Sequence, residues 1–204
     1  MIYIEHVLNM KGEVMNKKEK QREERKIQLL QIALKQFITK GFYGTSTREI
    51  SKIAGISSGL MFHYYPSKES LYEALVEIGC NKMSLPPFVD SPLDFFEEQA
   101  TEALEMLNTS VFFAEMFVFM GNASYHAHEI STKAGELLKA HDIITQSIPL
   151  IIKGQENAEI RTGNPQALSI AFWSAIQGIA EEIALNPNKP IPKAEWIVDI
   201  IKKV

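Results

Sequence analysis

The sequence predicts an all-α protein in two parts: an N-terminal three-helix unit carrying a helix-turn-helix, and a C-terminal helical bundle. Three observations predict it. Apolar residues recur at helical spacing along most of the 204 residues, and no stretch alternates apolar and polar positions between turn pairs. Two short helical segments flank Gly55, the arrangement of a helix-turn-helix. One clear interruption, Leu85-Pro-Pro-Phe-Val-Asp-Ser-Pro, separates front from rear, because two prolines in series cannot continue a helix. The division this implies is a flexible tail over 1–16, a helix-turn-helix domain with its connecting helix over 17–84, and a rear domain over 85–204.

Residues 16–26 are nearly all charged, and Ile27, Leu30, Leu34, Phe37 and Ile38 then form a stripe ending at Gly41. Lys17, Lys18, Lys20, Arg22, Arg25 and Lys26 either reach a polyanion or form a solvated helix start. Ser46 and Glu49 have the spacing of a reciprocal capping pair, and Ile50, Ile53 and Ala54 give one apolar face. Gly55 ends that helix in a left-handed conformation, Ile56 plugs the turn, and Ser57 caps the next helix. Pro66 stops it at Tyr65, and Ser67 opens a longer helix through Leu71, Tyr72, Leu75 and Ile78 to Met83.

Behind the interruption, Ser91 caps and Pro92 opens a helix carrying Phe95, Gln99, Ala103 and Leu107. Val111 to Met120 is apolar nearly all round, which predicts a central buried helix. One helix is expected from Ile130 to about Ile152, with Pro149 kinking its final turn. Asn164-Pro165 starts another that runs to Leu185, residues 186–190 break it, and Lys193 to Lys203 is expected to be the last.

Function is written most clearly in the second helix of the pair. At 100° per residue Met61, Tyr65 and the turn residue Ile56 face the core, while Gly59, Leu60, Phe62 and His63 point away with Tyr64 at the edge. No acid lies between Ser57 and Tyr65, so this face can lie against phosphates without repulsion. Charge is divided in the same sense. Residues 1–84 carry 13 Lys and Arg against 9 Asp and Glu, residues 85–204 carry 8 against 16, and the total is −4. A basic front and an acidic rear suit a chain that meets a polyanion at one end.

The run Thr45-Ser-Thr-Arg-Glu-Ile, then Ala54-Gly-Ile-Ser-Ser-Gly, then Phe62-His-Tyr-Tyr-Pro-Ser-Lys68-Glu-Ser-Leu71 resembles the tetracycline-repressor (TetR) family of bacterial regulators. The resemblance covers roughly residues 22–75. It implies that Thr47 and Arg48 meet phosphates or a base edge, that Ser57, Ser58, Gly59, Leu60, Phe62, His63 and Tyr64 line the DNA face, and that Lys68 grips a phosphate. Two positions depart from the family's pattern: Phe62 stands where Tyr is common, which removes a hydroxyl, and Leu60 stands where a small hydroxyl residue is frequent.

The rear half suggests two jobs. Phe113, Met116, Phe117 and Met120, with Tyr125, His141, Trp173 and Gln177 as polar or amphipathic anchors, are the candidate lining of a small-molecule pocket. The alternative is a solid core. Leu168, Ala171, Phe172, Ala175, Gly178, Ile179 and Ile183, with Trp196, Ile197, Ile200 and Ile201, leave the last two helices apolar on more than one face, and these are the candidate dimer interface. The family resemblance implies a four-helix contact between twin copies. A homodimer also suits two reading helices about 34 Å apart on one duplex.

No catalytic or nucleotide-binding motif occurs, so no enzymatic activity, cofactor or metal is expected. The lone Cys80 excludes a disulfide framework and suits a reducing cytoplasm. No run of about 18 apolar residues is found, so no membrane partner is expected. The reading is a regulator of a palindromic operator in double-stranded DNA, with repression relieved by a small, mostly apolar effector as the resemblance implies. The alternatives are an architectural DNA binder without effector, and an enzyme or ligand carrier on the same fold.

Overall fold

The computed structural model describes residues 16–82 and 89–203. Residues 1–15 of the tail expected over 1–16 and the Ser84–Leu85 boundary lie outside them, and Asn16 caps the first helix. Among the described residues the chain forms ten helices: α1 (Lys17–Gly44), α2 (Thr47–Ile53), α3 (Ser58–Tyr64), α4 (Lys68–Lys82), α5 (Pro92–Thr109), α6 (Val111–Ile130), α7 (Thr132–Ala140), α8 (Ile143–Glu156), α9 (Pro165–Leu185) and α10 (Ala194–Val198).

Most boundaries follow from caps. Asn16 and Glu19 form a complete capping box at the start of α1. Ser46, Ser57, Ser91 and Asn164 each accept an amide of the following first turn. Gly41 and Gly55 have φ of 72° and 67°, which explains glycine at these two positions: Gly41 breaks α1 and Gly55 makes the turn between α2 and α3.

Three sequence expectations are corrected. The capping pair at Ser46 is half made, because Glu49 turns its carboxylate to Lys40 instead. The single helix expected over 130–152 is α7 and α8, separated where Asp142 caps α8 by accepting from Thr145 N; Pro149 lies inside α8, which runs on to Glu156. The last helix stops at Val198, because the chain then pairs with residues 159–161. Arg161 N donates to Ile201 O at 2.8 Å and Lys203 N to Glu159 O at 3.0 Å, and this clasp buries Ile160 and Ile201.

Two hydrophobic clusters meet on α6. The front cluster joins α1–α4 to Phe112, Met116, Phe119, Met120, Ala123 and Ala127 of α6 and Ala134 of α7. The rear cluster joins α5, α8, α9 and α10 to Ala114, with Phe117 packed against it. The nearly uniform apolarity of Val111–Met120 therefore has a packing cause, since two cores share one helix. Rings weld the front to α6: Tyr72 meets Phe119 edge-on at 5.1 Å between centroids and lies 5.7 Å from Phe37. Burial of this ring pushes the Tyr72 hydroxyl up to about 12.

No unbroken run of 18 apolar residues occurs in α9, yet by length and average composition it is apolar enough to cross a membrane. Its apolarity has two sources in the fold. Phe172, Ile176, Ala180 and Ile183 are buried in the rear cluster, and Ile170, Ala171, Gly178 and Leu185 are exposed on the far side.

Candidate nucleic-acid interface

The helix pair α2–α3 is held by its own interior. Ile50 and Met61 are fully buried, and Ser51 Oγ donates to Arg48 O at 2.9 Å and lies 3.1 Å from Ser58 Oγ. Arg25 of α1 closes the end of α2, donating to Ala54 O at 3.3 Å and to Gln28 Oε1 at 2.6 Å.

This frame turns one side of α3 outward. Leu60 is 42% exposed and Phe62 45%, and Gly59 and His63 are exposed beside them. A side chain grown at Gly59 would meet nothing within 4 Å, so the helix has open space over this position. Arg48 on α2 is exposed and Thr47 half-buried. An open groove of about 950 Å³ runs between α1 and α3, lined by Lys18, Gln21, Arg22, Glu24, Arg25, Gln28, Leu60, His63 and Tyr64. Glu24 is the one acid in that lining, which otherwise carries three basic side chains.

Not every residue expected on this face is free to serve it. Ser57 Oγ accepts from Leu60 N as the cap, and Ser58 is engaged inward with Ser51. Tyr64 is half-buried against the front cluster. Lys68 is the main correction. Its ammonium donates to Phe42 O at 2.7 Å and Thr45 O at 2.9 Å, and it stands 4.1 Å from the centre of the Phe42 ring. The lysine holds two carbonyls at the end of α1, where a cation is favoured, so only one of its three protons remains for a phosphate. Sequence reasoning missed the groove residue Gln21. Its position one turn from Arg25 on the same charged helix was the available signal.

Residues 29–75 match the family model described as bacterial regulatory proteins, tetR family. That match is to the front unit of the chain, within α1 to α4. The chain is 30% identical over 102 residues to the uncharacterized HTH-type transcriptional regulator YuxN of Bacillus subtilis, an alignment covering 48% of this chain and 35% of that protein. It is 42% identical over 48 residues to the HTH-type transcriptional regulator RutR of Escherichia coli, covering 24% of this chain and 23% of that one. The chain thus spans well under half the length of these relatives, and the RutR match lies within a quarter of this one. Solved structures share its fold, two of them as follows. The ketosteroid transcriptional regulator KstR2 of Mycobacterium tuberculosis superposes with a TM-score of 0.66 at 15% identity, over 88% of this chain and 96% of that chain. AibR in complex with isovaleryl coenzyme A and operator DNA superposes with a TM-score of 0.61 at 16% identity, over 86% and 94%.

The candidate effector residues do not converge on one cavity. Phe113, Met116 and Met120 pack into the front cluster, where the Met120 thioether occupies the space a side chain at Gly79 would need. Phe117 and Trp173 pack against the rear cluster, and Gln177 Nε2 bridges α9 to Phe117 O at 3.2 Å and Glu181 Oε1 at 2.9 Å. Tyr125 is 84% exposed, and His141 Nδ1 lies 2.8 Å from Leu137 O at the end of α7. Tyr125 therefore lines no cavity: it stands on the solvent side of α6, between Ala123 and Ala127, which face the front cluster.

The candidate dimer residues divide in two. Phe172, Ile183, Ile197 and Ile201 are buried in the monomer, which corrects their assignment to a partner face. They read as interface in the sequence because a core face and a partner face have the same residue types. Ala171, Gly178 and Trp196 are exposed, and Leu168, Ala175, Ile179 and Ile200 are half-buried against the rear cluster. Cys80 is buried beside Glu77, and burial followed by that charge pushes its thiol up to about 11. Among the described residues no cluster of metal-ligating side chains occurs.

Proposed function

We propose that this protein is a DNA-binding transcriptional regulator, a cytoplasmic homodimer that represses from a palindromic operator and is released by a small, mostly apolar ligand. The observation that carries the reading is the outward side of α3. Leu60, Phe62 and His63 stand exposed beside a basic groove, while the opposite side, Met61, is fully buried. A helix held in this way and free of acids enters a major groove with its exposed side against base edges.

The homodimer rests on α9. Its Ile170, Ala171, Gly178 and Leu185 are exposed, and a twin copy would cover them while setting two α3 helices on one duplex. The effector rests on likeness of fold to proteins solved with ligands, such as AibR with isovaleryl coenzyme A. Of the candidate effector residues, Phe117 and Trp173 pack on the rear cluster, and Trp173 Nε1 donates to Ser147 Oγ at 3.0 Å, which supplies a polar anchor beside apolar surface. Binding there would act by population shift, favouring a spacing of the two reading heads that no longer fits successive grooves.

The test is the double variant Phe62→Ala with His63→Ala, measured against an operator selected from random duplex at moderate salt. Operator binding is expected to fall by at least ~30-fold while non-specific binding persists. Unchanged operator affinity would sink the assigned reading face.

A further inference from the structure

We infer that Leu60 and Phe62 make α3 a reader of thymine methyl groups, so that each operator half-site places thymine C5-methyls under these two side chains. The inference rests on the DNA-binding reading and adds to it the chemistry of the sequence that is read.

The side-chain inventory of α3 carries it. Between Ile53 and Ser67 there is no Arg, Lys, Asn, Gln, Asp or Glu, so this helix cannot make the bidentate contacts that identify guanine or adenine. The hydroxyls that remain are already committed. Ser51 gives its proton to Arg48 O, so the Ser58 hydroxyl, 3.1 Å away, turns its own proton inward to Ser51. Ser57 Oγ accepts the Leu60 amide. Met61 is fully buried, and Tyr64 is half-buried against the front cluster. What α3 shows to solvent is therefore mainly the carbon surface of Leu60 and Phe62, one ring donor or acceptor on His63, and the bare backbone of Gly59, with the half-buried Tyr64 at the groove edge.

Carbon surface gains free energy only where it and its partner both lose water. The major-groove edges offer one apolar group, the thymine methyl. Over guanine or cytosine the same side chains would strip water from O6, N7 or the N4 amino group and return no hydrogen bond, which is a cost. Phosphate contacts from Lys18 and Arg22 in the groove hold any sequence equally, so they cannot supply this discrimination.

The experiment uses the full chain and an operator selected from random duplex. Deoxyuridine then replaces thymine one position at a time, which leaves every hydrogen-bonding group in place and removes only the methyl. Two thymines in each half-site are expected at which the replacement raises Kd about three- to fivefold, the value of one buried methyl group. Leu60→Ala should abolish the sensitivity at one of them and Phe62→Ala at the other. Both positions are on the surface, and unchanged helical circular dichroism shows that the variants fold. An operator bound equally well with uracil throughout overturns this inference and leaves the DNA-binding reading intact, as does an operator with no thymine protected beneath α3. Failure to enrich any duplex overturns both.

Discussion

The exposed sides of α3 and α9 resemble each other in one respect and differ in another. Each shows apolar carbon to solvent, Leu60 and Phe62 on α3, and Ile170, Ala171 and Leu185 on α9. Around α3 the charge is basic: Arg48 and Lys52 on α2 and Lys18 and Arg22 across the groove, with no acid from Ile50 to Lys68. Around α9 it is acidic, with Glu181 and Glu182 on the same helix. Apolar exposure alone says only that a surface wants a partner. The charge beside it bears on the kind of partner, and the proposed function sets a polyanion on α3 and a twin copy on α9.

The sharpest way to break the comparison is to give α9 charge of its own. Ala171→Glu with Gly178→Glu adds two acids to exposed positions without entering the core. The variant should sediment as a monomer and lose at least ~100-fold in operator affinity, because the second reading head no longer binds from a tethered position. A dimer that survives moves the partner surface elsewhere.

Lys68→Met separates an internal cation from a phosphate contact. Removing the ammonium from the Phe42 and Thr45 carbonyls should cost about 2 kcal/mol in urea unfolding, with the salt dependence of DNA binding nearly unchanged. If stability holds and the salt slope drops, the lysine belongs to the DNA side.

Lys18→Gln with Arg22→Gln tests the basic wall of the α3 groove. The slope of log K against log salt should become shallower by about two, with base preference retained, since each lost phosphate contact accounts for roughly 0.9.

The smallest effect concerns α6, which both clusters share. Burial pushes the Glu115 carboxyl up, opposed by the Lys35 charge. A carboxylate raised in the folded state weakens the fold at neutral pH, and that cost disappears as pH falls through its folded value. Glu115→Gln should therefore raise the melting temperature at pH 7 by a few degrees at most, and the gain should vanish below the ordinary glutamate range.

Much of the fold was legible because helix ends are decided locally. Ser57, Ser91 and Asn164 satisfy amides within three residues of themselves, and Gly55 takes a conformation other residues avoid. The α3 face was legible for the same reason, since seven residues of helix place Met61 opposite Phe62 and His63 whatever else the chain does. Asp142 was the local cap that went unread, and it moved one helix boundary.

The rest depended on distance along the chain. That Lys68 turns to Phe42 and Thr45, 26 and 23 residues away, is invisible to any periodic pattern. Val111–Met120 reads the same whether it lines a cavity or divides two cores, and only packing shows Met120 against Gly79 and Phe117 on the other side.

The sequence by itself determined the helices, their caps and the acid-free, ring-bearing face of α3, because each depends on bonds and spacings within a few residues. Only the tertiary structure decided which apolar residues of α9 and the tail remain outside and which, like Phe172 and Ile201, close the core. Burial is a property of what lies across the space, and residues of one chemical type can stand on either side of it.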